Sequence, residues 1–447
     1  MRKFLLKSVL FIGILLLSVH INGQDISGPV TLAMSNTGAY SIVERSDWRR
    51  YDNGRYVGLV RHEVRASIIP KTTGHGNDTL LYQGNFFVLQ NTLRDMRQSA
   101  QSVDAVVPVS FELHRNGTIV IEKDMGFPAL RGFPTFPAQK VVPGFKWRAP
   151  ASRAVDPFNT GDPAIITFNA DYEYRGVEKY KDIWVYKIYA IYGYNYQSRN
   201  PGSNGFSRVQ GSHKVDILIR VDDGLPIFMH DDLDEKYTMI DGSTVQFKGF
   251  SLTFGSGIIP MDRSDVIASL GNKLKIESLP APNARAVVSE PPVPSASLQS
   301  GLSEAEDQKA AASGKSTNTA ILQDSAIDLA PVPEGIRLTI KDIRFVPDSA
   351  EFLPAERSRL DLIADALKQI PDRVFLIEGH TAATGKPAGE LELSIERAKR
   401  MVDELERRGI KADRFIYKGW GGTKPIGDNS TNAGRSANRR VEITILE

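Results

Sequence analysis

From about Gln24 to Lys275 the apolar positions show no long helical period, Tyr, Val, Ile and Gly are frequent and turn signals recur, which predicts strands rather than helices. Along Asp182 to Tyr196 the even-numbered Trp184, Tyr186, Ile188, Tyr192, Tyr194 and Tyr196 share one face of a long strand. Asn53-Gly54, Asp222-Asp223-Gly224 and Asp241-Gly242 sit between such segments and suit tight hairpin turns, because these residues tolerate positive φ. The expectation for 24–276 is a β-rich region, a curved antiparallel sheet or open barrel. Its aromatic face is read as sheet packed on a core, with a platform for glycan or lipid as the alternative.

The pattern changes twice further on. Residues 277–333 are rich in Pro, Ala and Ser and read as a linker, with Leu302–Ala312 as a short helical stretch inside it. A flexible chain of that length reaches about 40 Å, enough to let two domains face different layers. From 334 to 447 strand and helix patterns mix. Ile336, Leu338 and Ile340 alternate as a half-buried strand, and Leu360, Ile363, Ala364, Leu367 and Ile370 fall at helical spacing. Val374–Ile377 is a short apolar run suited to a strand covered on both faces. Leu391, Ile395, Ala398, Val402 and Leu405 mark a second helix stopped at Gly409, and strands follow at Phe415–Lys418 and Arg440–Leu446, separated by a polar loop at Gly419–Gly434. This predicts an α/β sandwich.

The first residues change the picture of where the chain works. Met1-Arg2-Lys3 precedes an apolar stretch whose uninterrupted core, Val9–Leu17, is far short of the roughly 20 residues of a membrane-spanning helix. Residues 1–23 are expected to be a secretory signal peptide, so the protein is exported. The sequence contains no cysteine, which excludes disulfides, thiolate metal sites and an acylated N-terminal cysteine. A net charge of +2 gives no pull toward nucleic acid.

Candidate chemistry is sparse. His230, Asp231, Asp232, Asp234 and Glu235 lack the spacing of a calcium loop and are read as a solvated loop. His62-Glu63 has no second histidine at helical spacing, so no zinc-protease site is predicted. No nucleophile elbow or phosphate-binding loop is present, and neither a catalytic residue nor a cofactor or metal is expected.

The C-terminal quarter carries a specific likeness. Phe345–Phe352, Ile377-Glu378-Gly379-His380-Thr381, Leu393-Ser394-Ile395-Glu396-Arg397-Ala398 and Gly434–Ile443 resemble successive blocks of the OmpA C-terminal-like family. Tyr51–Leu59 is similar to the spirochaetal branch of that family. The resemblance implies a periplasmic or outer-membrane-associated protein that grips the diamino acid of the peptidoglycan stem peptide without covalent bonding. In the family an aspartate after the Gly-His-Thr segment takes the ammonium, and the arginine of the Leu-Ser-x-x-Arg-Ala segment takes the carboxylate. Arg397 fills the second role, where its planar fork suits a carboxylate. Ala382 stands at the aspartate position and can carry neither charge nor a side-chain hydrogen bond.

Glu390 lies seven residues before Arg397 on nearly the same helix face and is the candidate replacement anion. Thr381, Asp348, Asn438 and Arg439 complete the candidate peptidoglycan-binding set. Alternatively, Arg397 is paired with Glu378 or Asp348, Glu390 is a helix-start residue, and Asn438 and Arg439 stabilise the fold. His380 is expected to be a hydrogen-bonded strand-end residue. The sequence leaves open a tether whose N-terminal region meets an envelope protein or lipid, an interaction protein that no longer binds peptidoglycan, and a carrier of an apolar ligand.

Overall fold

The computed structural model describes residues 28–71, 79–89, 101–156, 162–199, 201, 205–258, 261–274, 276, 322–323, 327–347, 349–370 and 372–447. The expected signal peptide, the helical stretch at Leu302–Ala312, most of the expected linker and Asp348 lie outside the described residues.

The first region is one antiparallel sheet. Its strands are β1 (Tyr40–Asp52), β2 (Arg55–Pro70), β3 (Thr79–Leu89), β4 (Gln101–His114), β5 (Ile119–Ile121), β6 (Leu130–Arg131), β7 (Lys146–Val155), β8 (Ala164–Tyr180), β9 (Ile183–Gln197), β10 (Phe206–Arg220), β11 (Pro226–Met239) and β12 (Thr244–Gly257). Neighbours run β5-β4-β3-β2-β1-β12-β11-β10-β9-β8-β7-β6, so the sheet is open, with its two shortest strands at the edges. One face of every long strand feeds a single core, which requires the sheet to curl around it. The expected hairpins form, and at β1–β2 both Asn53 and Gly54 take the positive φ that such a turn demands.

The Tyr-rich face of β9 is packed. Tyr192 stacks on Phe168 with ring centroids 4.3 Å apart and on His213 at 4.2 Å. That removes the aromatic platform. Trp184, expected on this face, is 50% exposed while Val185 is fully buried, because the strand is leaving the hairpin turn there.

Two elements assigned otherwise by the sequence join the C-terminal domain. Helix α1 (Arg263–Leu274) buries Ile267, Leu270 and Leu274 in that domain's core. Strand β14 (Ile327–Val332), placed in the linker because of its prolines, pairs with β15 (Gly335–Lys341) and turns Ile327 and Leu329 inward. Pro331 is tolerated because it stands near the end of a strand close to the sheet margin, where only the two-residue β13 (Leu322–Gln323) pairs further out. The sheet continues through β18 (Arg440–Leu446), β16 (Phe375–Gly379) and β17 (Phe415–Gly419). Helices α2 (Arg357–Leu367) and α3 (Pro387–Arg407) cover one face.

The opposite face is also covered. Leu376, Ile416 and Leu446 meet Phe87, Leu89 and Val103 of the N-terminal sheet, and Lys418 Nζ donates to the Asp104 carbonyl at 2.7 Å. Each such apolar side chain contributes about 1.5–3 kcal/mol on burial. Arg65 donates to the Asp413 carbonyl, and Asn85 Nδ2 donates to Glu334 Oε1 at 3.0 Å. The two parts are therefore in direct contact. The both-faces burial read from Val374–Ile377 is how that contact shows in the sequence.

Candidate functional site

The site is assembled where β16 ends against α3. A side chain on Gly379 would place its Cβ 2.1 Å from the Ser394 carbonyl oxygen, so only glycine lets the strand pass. Ser394 is fully buried, accepts from Gly421 N–H at 2.9 Å and donates to the Leu391 carbonyl at 2.7 Å. Polar contact replaces apolar packing in this first part of α3, which is why Leu391, expected in the buried stripe, is 46% exposed. Thr381 N–H donates to Gly421 O at 2.9 Å, tying the strand end to the Gly419–Gly422 turn.

Arg397 lies one turn beyond Ser394 and is almost fully buried. Its Nε donates to the Ser349 carbonyl at 3.2 Å, and the guanidinium carbon sits 4.5 Å from the centre of the Phe345 ring. These contacts fix the plane of the fork, which is what a bidentate grip requires. Ala382 and Thr381 are buried beside the strand end, and Thr381 Oγ1 has no hydrogen-bond partner among the described residues.

Glu390 is engaged elsewhere. Its Oε1 accepts from Thr384 N–H at 2.5 Å, Thr384 Oγ1 at 2.9 Å and Lys386 N–H at 3.1 Å. The backbone bond from Thr384 is the main reason that its carboxyl titrates below the usual range. It braces the loop entering α3. Asn438 is fully buried, accepting from Ile426 and Gly427 N–H and donating to Gly427 O and Asn429 Oδ1, all within 2.8 Å. Asn429 in turn accepts from Ala383 N–H at 3.2 Å, so Asn438 holds the loop that meets the chain just after Ala382. A short helix, α4 (Asn432–Asn438), capped by Thr431, follows that loop within the stretch read as polar loop. Arg439 is exposed, and its side chain has no partner among the described residues.

His380 departs from expectation. Both ring nitrogens lack a hydrogen-bond partner among the described residues, and Nε2 stands 3.7 Å from the Glu442 carboxylate. Burial lowers its pKa. Glu442 is held by Arg440 Nε at 2.7 Å and lies 3.4 Å from Arg337. Although burial opposes ionisation, His380, Arg440 and Arg337 bring its carboxyl from 4.5 down to about 2. A carboxyl lowered on folding stabilises above its unfolded value, and the benefit disappears as pH falls through the folded one. Thermal melts from pH 5 to pH 2 should therefore record a loss of roughly 3 kcal/mol from this group, and a fall in stability smaller by that amount in E442Q than in the parent would assign it correctly.

Residues 344–439 match the family model described as the OmpA family. They form an OmpA family domain. Peptidoglycan-binding protein ArfA of Mycobacterium bovis is 41% identical over 103 residues, covering 23% of this chain and 32% of that protein. Outer membrane porin F of Pseudomonas fluorescens is 34% identical over 116 residues, covering 26% and 35%. The chain thus spans about a third of the length of these relatives. A solved outer membrane protein from Borrelia burgdorferi is 35% identical, with 28% of this chain and all of that one aligned and a TM-score of 0.24. The curated relatives are aligned over about a quarter of this chain.

The sequence reading missed a second polar centre, inside the β-rich domain. The stretch His230–Glu235, read as a solvated loop, is the middle of β11, and its period of two turns Asp231 and Glu235 inward. Arg153 Nη2 lies 3.3 Å from Glu235 and Nη1 3.9 Å from Asp231, while His213 bridges the same two carboxylates at 3.0 and 3.3 Å. Tyr194 and Tyr237 donate to Glu235. Burial works against charge on Glu235, but Arg153, His213 and Tyr194 hold its carboxyl well below the usual range. Burial likewise opposes charge on His213, and the Asp231 and Glu235 carboxylates raise its pKa. The signal available in advance was an acid pair four residues apart within an alternating strand. Among the described residues no group of three or more acids and histidines is arranged to hold a metal.

Proposed function

We propose that this is an exported envelope protein whose OmpA family domain binds the peptide stem of peptidoglycan, with the N-terminal sheet engaging another component of the envelope. The observation that carries the reading is Arg397, buried at the end of β16 with its guanidinium plane set by Ser349 and Phe345. A fixed, planar cation is the recognition element for a stem-peptide carboxylate. The ammonium end of a diamino acid would lie toward Thr381 and Ala382, whose side chains carry no charge, while Glu390 is committed to its own loop. Binding is accordingly weaker than in a domain that carries both charges. Co-sedimentation of the chain lacking residues 1–23 with purified sacculi tests the proposal, and recovery in the pellet no better than for an unrelated protein sinks it.

Ala382 favours a second reading, in which the groove serves a protein partner of the envelope. Ala382→Asp separates the two. Should the groove still accept a diamino acid, the new carboxylate tightens sacculus binding by roughly 30-fold or more. No gain in a folded variant assigns the groove to the other partner.

A further inference from the structure

Inside the β-rich domain Arg153 and His213 both engage Asp231 and Glu235. Glu44 stands outside that cluster. It lies on the same inner face, in register with Thr253 of β12, which in turn is opposite Met229 of β11. Its carboxylate makes no hydrogen bond or ion pair among the described residues. Burial raises its pKa, Arg153 opposes the rise, and Asp231 and Glu235 add to it.

Glu44 lines a cavity of about 110 Å³ between the inner face and the Phe127–Leu130 segment. Arg153, Asp231, Ser251 and Thr253 supply the remaining polar wall, and Ile42, Val64, Phe86, Phe127, Leu130 and Met229 are among its apolar lining. None of the packed tyrosines of β9 lines it. A carboxylate in such surroundings is costly unless it takes a proton or meets a cation. An anionic ligand would face the carboxylates of Glu44 and Asp231 and find Arg153 already engaged by Asp231 and Glu235. A purely apolar ligand would leave Glu44 as it is.

We propose that this cavity takes the head of a small amphiphile carrying one primary ammonium on an aliphatic body, with Glu44 as its counter-ion. The ammonium pairs with Glu44, and the aliphatic portion lies along the Phe86, Phe127 and Leu130 wall. The site is separate from the OmpA family domain and does not depend on peptidoglycan binding.

Calorimetric titration of the chain lacking residues 1–23 with n-hexylamine, hexanoate and hexanol at neutral pH tests it. Hexylamine should bind saturably at one site and hexanoate should not bind. Glu44→Gln, nearly isosteric at this half-buried position, should fold and weaken the amine by roughly tenfold or more. Ala129→Leu fills the cavity without touching a charge and should abolish binding. Equal affinity for all three probes, an unaltered amine affinity in either folded variant, or no saturable amine binding overturns the proposal.

Discussion

Replacing Arg397 with alanine is expected to remove retention of the chain on purified sacculi. Truncating one partner of a buried, hydrogen-bonded charge pair costs about 2–5 kcal/mol, which corresponds to roughly 30-fold to a few thousand-fold in affinity. With no carboxylate at position 382 to share the load, the upper part of that range applies here. The substitution also releases the Ser349 carbonyl and the Phe345 ring, so a loss of fold stability accompanies it, to which these two contacts contribute about 1–2 kcal/mol. Arg397→Lys distinguishes the two effects. It keeps the charge and gives up the planar fork, and should retain the fold while binding at an intermediate level. A folded R397A protein that sediments with sacculi like the parent would end the peptidoglycan reading.

The second large effect lies in the β-rich domain. Arg153→Ala removes the guanidinium that faces Glu235 at 3.3 Å and Asp231 at 3.9 Å, leaving two buried carboxylates to one histidine. Breaking a buried ion pair in this way destabilises by about 3–5 kcal/mol, because the remaining charge is neither hydrated nor matched. Urea denaturation followed by tryptophan fluorescence should report a matching fall in the unfolding midpoint. Pairing Arg153→Met with Glu235→Gln removes the charge from both sides and should recover much of that loss. A midpoint unchanged in R153A would mean that water reaches the cluster and that the pairing carries little of the fold.

The linker expectation bears on how a wall-binding domain would work here. The sequence suggested two bodies joined by a long tether, yet β14 and α1, which flank the undescribed stretch, both belong to the C-terminal core. With Leu376, Ile416 and Leu446 packed on Phe87, Leu89 and Val103, the OmpA family domain and the N-terminal sheet meet across an apolar contact, so a groove that holds peptidoglycan would also position the sheet.

By itself the sequence determined the local order. A period of two gave β9 and β15, the Asn-Gly and Asp-Gly pairs gave the hairpins, and the Ile377–Thr381 and Leu393–Ala398 blocks fall on β16 and α3. Each of these is encoded within a few residues, since side-chain direction and turn geometry are short-range properties. Tertiary structure alone decided which charges meet. Arg153, His213 and Asp231 come from β7, β10 and β11, and their encounter depends on the register of five adjacent strands. It likewise decided that Glu390 turns back to its own loop, that Glu44 makes no ion pair among the described residues, and that the apolar run of β16 covers a second domain. Such outcomes depend on distances summed over many residues, and a local pattern of hydrophobic and polar positions does not contain them.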